Sequence, residues 1–472
     1  MSGDLDSAQE KALKINLDAA RYGTFAEIGA GQEVARWFFQ AGKAASTVAK
    51  TICAYDKNVS DALYGTTSHF VSRERLESML DYEYSQLLDQ LDTTRGASTA
   101  FFAFADTLAT HGSSRTSGGG HGWLGIRFQD HPKAEASQII IHIEMLEAFT
   151  SRQQEAVGLL GVNLIFGAYA SVQDPTGFMK SLMDGLDRRR IEIDLIKFSG
   201  PAFPGVDNRL MSLQLLEMGY TDAAMFLANG EVVQPSEVLS NRSVLIERGS
   251  FRPVTNVTLS MLDGALAQLR HECDPAAGEP SVLMEMTLNN LKSGPVIDHR
   301  DFLARADILG ALDKTVMISN YTRFDCVTTY LRQYTQNWIG MVVGIPTLRA
   351  IFEEKYYQEL SGGIMEGLGR LFRGPVKLFA YPTAPAEAAE LETAAGLAIE
   401  PKLQYLYAYL FQNGRIEPVS PFSIDQLHVS PGDVLAKLQS GDPDWLNYVP
   451  PVAAALIQRD RLFGLSTASH AN

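Results

Sequence analysis

The sequence predicts an α/β fold: two unequal strand-helix-strand halves with mainly parallel sheets, a helical N-terminal region and a small α-rich C-terminal appendage. A strand-helix-strand-helix-strand pattern occurs twice, over residues 138–201 and again over 314–382. Its apolar runs (139–145, 160–169 and 191–198, then 315–319, 339–344 and 376–381) have the length of buried strands, and such runs alternating with helices require a sheet covered on both faces. With 472 residues, 46% of them hydrophobic, the chain exceeds what one core usually holds, so two or three domains are expected.

In chain order, residues 1–95 read as helical. Val34, Trp37, Phe38, Ala41, Ala45 and Val48 form one apolar stripe, and Leu76, Leu80, Leu87 and Leu91 form another. Residues 96–205 form the first α/β half, with β-favouring runs at 100–107, 123–128 and 139–145. Residues 157–170 read as a buried strand and its approach. The Gly/Pro-rich stretch 199–208 marks the joint to a second α/β half, 206–385. Asn229-Gly230 favours a tight hairpin turn there, followed by alternating strands and helices in a doubly wound order. Residues 383–400 read as a linker or solvated helix, and 386–472 as the appendage, with residues 466–472 expected to fray.

A net charge of -15 opposes general nucleic-acid binding. No apolar stretch reaches bilayer length, and the acidic N-terminus lacks signal-peptide character, so a cytoplasmic protein is expected. Cys53, Cys273 and Cys326 are too sparse for a disulfide framework, and the scattered histidines give no metal-ligand spacing.

Several constellations are candidates for chemistry. Glu27-Ile28-Gly29-Ala30-Gly31 before a helix, with Asp56 after it, has the skeleton of a nucleotide turn and resembles the first motif of S-adenosylmethionine-dependent methyltransferases. An equally available reading is a helix entry punctuated by glycines. The loop Gly118-Gly119-Gly120-His121, flanked by Arg115 and Arg127, offers an anion cradle or a plain hairpin loop, with His121 a candidate catalytic residue. Asp207, the other catalytic candidate, opens a helix with Arg209 at the joint; an ordinary N-cap is the alternative. Arg248 and Arg252 around a glycine, and Arg323 after a buried strand, could clamp a phosphate or carboxylate, or form ordinary salt bridges.

The stretches around Glu27-Ile28-Gly29-Ala30-Gly31-Gln32-Glu33, His121-Gly122-Trp123, Asp207-Asn208-Arg209-Leu210-Met211-Ser212 and Glu354-Lys355-Tyr356-Tyr357 resemble a group of bacterial proteins labelled nicotinamide-nucleotide adenylyltransferase-like. The resemblance spans most of residues 20–385 and implies a bacterial α/β protein. Of that activity's signatures, Ile318-Ser319 and Arg323 echo an ISSTxxR-like motif at altered spacing, and an HxGH-like motif is missing. Two functions follow. One is binding of a nucleotide or other phosphorylated small molecule, in a crevice between the halves, with transfer chemistry the commonest use of such folds and no cofactor specified. The other is a non-catalytic, self-assembling scaffold or filament, motivated by aromatic helices such as Trp37-Phe38-Phe39 and Tyr405-Leu406-Tyr407-Ala408-Tyr409. A homo-oligomer is expected in either case.

Overall fold

The computed structural model describes residues 7–110, 120–292, 294, 296–384, 391–420, 422, 427 and 430–466. Gly118, Gly119 and Arg115 lie outside these residues, as do 385–390 of the expected linker and the terminal 467–472. The chain is an α/β protein of two compact units, Met1–Thr221 and Asp222–Asn472, each built on its own sheet.

The first unit holds six strands: β1 (Arg21–Ile28), β2 (Val48–Ile52), β3 (Ala100–Ala109), β4 (Gly120–Phe128), β5 (Ser137–Met145) and β6 (Ile191–Ser199), in the order β2-β1-β3-β4-β5-β6. β2, β1 and β3 are parallel, whereas β3 through β6 run antiparallel. The first repeat of the sequence pattern is therefore not a parallel unit.

The reason lies in the connection. Residues 160–169, expected as a strand, belong to the 21-residue helix Thr150–Ala170, which a second helix, Pro175–Leu182, follows. One helix would carry the chain to the opposite edge and make the next strand parallel. Here two helices and their turns return it to the edge it left, so Ile191 pairs with Met145. The N-terminal region likewise contributes strands as well as helices. The apolar stripe from Val34 stops being helical at Ala41, because Gly42 and Lys43 take positive φ (83° and 63°), and its end becomes β2.

One face of this sheet carries Phe25, Phe102, Phe104, Leu124, Ile126, Ile139, Ile141 and Ile143, packed with Val34 and Phe38 and with the apolar sides of the helix Thr150–Ala170. The helix Arg73–Arg95 covers β3 and β4 on the other face, where Leu76 and Leu80 press on Gly125.

The second unit holds β7 (Ala223–Phe226), β8 (Val232–Val233), β9 (Val244–Arg248), β10 (Ser281–Thr287), β11 (Thr315–Ser319), β12 (Ile339–Gly344), β13 (Val376–Tyr381) and β14 (Ile416–Pro418). β7 and β8 form an antiparallel edge hairpin around Asn229-Gly230, in which Gly230 has φ 83°. The six remaining strands are parallel. Counted from β9, they lie in the order 3-2-1-4-5-6, the doubly wound arrangement in which strand order reverses between β9 and β12. Gly340 is pressed by Leu245, Leu269 and Phe379 on one face, while Ile339 and Met341 join Val327, Leu331 and Leu368 on the other. Helices thus cover both sides of the sheet, as its continuous apolar strands require.

Candidate functional site

In the first unit β1 ends at the carboxyl edge of its sheet, and the chain reverses through Gly29-Ala30-Gly31 into the helix Glu33–Ala41. Gly29 has φ 106°, and a Cβ there would lie 1.9 Å from the Leu108 carbonyl oxygen, so the turn presses on β3 as only glycine permits. Gly31 also has positive φ, 84°. The carboxylate of Glu27 turns beneath the helix and accepts the backbone N–H groups of Val34 and Ala35, each at 2.9 Å. The skeleton of a nucleotide turn is present, but the anion at the helix N-terminus is the protein's own.

Asp106, the register partner of Glu27, is fully buried; its Oδ1 accepts the Ile28 N–H at 3.0 Å and its Oδ2 has no hydrogen-bond partner among the described residues. Burial pushes Glu27 up to about 7 against the opposing pull of the two N–H bonds, and burial followed by the charge of Glu27 holds Asp106 well above the usual carboxylate range. Asp56 Oδ1 accepts the N–H groups of Asn58 and Val59, capping the helix Lys57–Tyr64.

A cavity of about 400 Å³ opens at this edge, lined by residues that include Gly29, Tyr55, Lys57, Ser60 and Thr107. Tyr55 is 73% exposed. Among the described residues Lys57 has no carboxylate partner and its ammonium lies 5.3 Å from the Phe70 ring centroid. Ser60 is buried, with a hydroxyl that has no hydrogen bond among the described residues. Sequence reading had not singled out Tyr55, Lys57 or Ser60; the signal was their place just after a strand in parallel register with β1.

His121 opens β4 beside Gly120. The strand separates it from Arg127, which sits six residues on, roughly 20 Å away by strand rise, and bonds Asp81 and Gln138 instead. His121 faces a polar row on the outer side of β5 and β6. His142 Nε2 lies 3.5 Å from His121 Nδ1, and His142 Nδ1 lies 2.6 Å from Asp194 Oδ1. Glu144 stands opposite His121 in the register, and Trp123 stands opposite His142, their rings 4.7 Å apart. Burial and then Asp194 and Glu192 push Glu144 up to about 9, and burial followed by the neighbouring His142 lowers His121. The pattern His142-x-Glu144 inside an apolar strand was the sequence signal for this row, since alternate strand residues share a face.

Asp207 caps the helix Asn208–Glu217 and grips Arg209 through both carboxylate oxygens, at 3.1 and 2.7 Å, while the Asn208 side chain clasps the backbone of Phe198. The pair is thus spent on seating that helix at the end of β6.

In the second unit Arg248 and Arg323 reach the carboxyl edge of the sheet, near the reversal of strand order. Arg248 is held by both oxygens of Glu285 at 2.9 Å, donates to the Thr322 carbonyl and stacks over Phe324. Ser319 donates to the same Glu285 at 2.6 Å. Arg323 is paired with Asp325 at 2.9 Å, and Arg252 with Asp301 at 2.6 Å. The expected anion clamps are closed by internal carboxylates.

No protein-family model matches the sequence, and no curated protein does. Solved structures resemble parts of it. They include a competence/damage-inducible protein from Agrobacterium tumefaciens (16% identity over 35% of this chain and 97% of that one, TM-score 0.25). A competence-damaged superfamily protein from Enterobacter cloacae gives 13% identity over 36% of this chain and 95% of that one, TM-score 0.26. A provisionally named nicotinate-nucleotide adenylyltransferase from Vibrio parahaemolyticus gives 11% identity over 48% of this chain and 97% of that one, TM-score 0.21. Among the described residues no helix is long and apolar enough to cross a membrane.

Proposed function

We propose that the first unit binds a nucleotide or another phosphorylated small molecule in the cavity at the carboxyl ends of β1 and β3. The observation that supports this reading is the Lys57 ammonium, which no carboxylate neutralises among the described residues, on the wall of a cavity placed where open parallel sheets receive ligands. The arginines that looked like anion clamps are already neutralised, so Lys57 is the better phosphate partner. In this reading Tyr55 offers its exposed ring to a base. Cys53, next to the wall residue Ala54, is a poor nucleophile because burial, Asp106 and Glu27 all push its thiol up. The reading is therefore of a binding site and assigns no transfer step.

Isothermal titration of the full chain with adenine and nicotinamide mono- and dinucleotides, sugar phosphates and inorganic phosphate tests it. One member should bind at one per chain, and Lys57→Met should weaken it about tenfold, roughly 1.4 kcal/mol. Absence of binding at millimolar concentration, or binding indifferent to Lys57→Met, would overturn the reading.

A further inference from the structure

The outer face of β4, β5 and β6 gathers side chains that neither the proposed ligand cavity nor the core uses. His142, Glu144 and Asp194 each present one donor atom, and the three atoms lie within 4.8 Å of one another. Two features of the backbone produce this. His142 and Glu144 are alternate residues of β5 and so share a face. Asp194 reaches the same face through a bulge in β6: His142 pairs with Leu195 and Ile143 with Ile193, leaving Asp194 without a cross-strand partner. The core-facing positions record the shift, moving from Ile191 and Ile193 before the bulge to Ile196 and Phe198 after it.

Glu144 has no hydrogen bond among the described residues, and its charged neighbours, Asp194 and Glu192, are both acidic. Asp194 and His142 are almost completely buried. Two carboxylates and an imidazole held this close suit a shared positive centre, and His121 lies within reach of His142 on the fourth side.

We propose that His142, Glu144 and Asp194 form a binding site for one divalent first-row transition ion, of the zinc or manganese class. One imidazole nitrogen and two carboxylate oxygens suit that class; bonds of about 2.0–2.2 Å set tetrahedral donors roughly 3.4 Å apart, so side-chain rotation would open the 2.6 Å His142–Asp194 pair and draw in Glu144. The second imidazole, on His121, either completes the set or orients His142, as groups outside the ligand set commonly do. Where His121 only orients His142, three ligands come from the chain and the fourth position is open to water, which equips the site to polarise a bound oxygen; where His121 ligates, the site is closed and staples the sheet.

The test uses the full-length chain without a polyhistidine tag, stripped with chelator and titrated with Zn²⁺, Mn²⁺ and Co²⁺ alone. One ion per chain is expected to bind, to raise the melting temperature and, for Co²⁺, to give visible absorption bands of a nitrogen- and oxygen-ligated site. Glu144→Gln, at the least buried ligand, should fold normally by circular dichroism and weaken binding at least tenfold; Asp194→Asn should do the same. If none of the three ions binds below about 100 μM, or if both variants bind as the parent does, the proposal is wrong.

Discussion

At the scale of single residues, the side chains that looked available from sequence are mostly engaged, and the reason is distance along the chain. Arg248 meets Glu285 across 37 positions, and no local pattern announces such a pairing. Glu27 shows the converse: its place before a glycine turn was legible, while the direction of its carboxylate, under the helix instead of toward a ligand, was set by packing. That burial has a measurable consequence. An acid raised from 4.5 to about 7 in the folded state contributes stability that is complete below about pH 4.5 and is lost as pH rises through about 7. The span is on the order of 3 kcal/mol, shared with its partner Asp106. Glu27→Gln should therefore be less stable than the parent at pH 5, having lost an acceptor for a helix N–H, and should recover most or all of that deficit by pH 8. Urea denaturation at the two pH values would show it, and a deficit unchanged between them would mean that Glu27 ionises normally.

Among the elements, β9 to β13 were legible because each is a short apolar run bounded by turn residues or helices. The helix Thr150–Ala170 was not, since it is buried on most sides and so lacks the one-sided stripe that marks a surface helix. Its glycines served as close-packing points rather than strand punctuation. A Cβ on Gly161 would come within 2.3 Å of a Val34 methyl, and one on Gly167 within 2.7 Å of the Phe178 ring. Gly161→Val should thus cost about 1–3 kcal/mol through overpacking, despite its gain in helix propensity. A lowered denaturation midpoint with unchanged slope would confirm this, and a more stable variant would show that the helix pair can simply move apart. The antiparallel half of the first sheet was illegible for a related reason: β5 is buried on both faces over residues 139–143, the mark usually left by parallel strands, and nothing in it reveals which edge the chain returns to.

For the molecule as a whole, each unit has its own sheet and its own core, and each is within the size that one core can stabilise. Residues 1–221 expressed alone should melt cooperatively and keep the nucleotide and metal responses of the full chain; a non-cooperative melt by circular dichroism would show that the unit borrows stability from the rest. The sequence conveyed the class of fold and the second sheet's repeat, and it pointed at Gly29 and His121, each of which adjoins a cluster it could not see. The bulge at Asp194 bears on how such a cluster can arise. Removing that one residue would bring Ile191, Ile193, Ile196 and Phe198 into simple alternation and close the ladder with β5, leaving every core contact in kind. The carboxylate thus sits on the one extra residue of an otherwise regular strand, so a single deletion would remove it, and a sheet of the same build with an uninterrupted β6 would lack the proposed ion ligand.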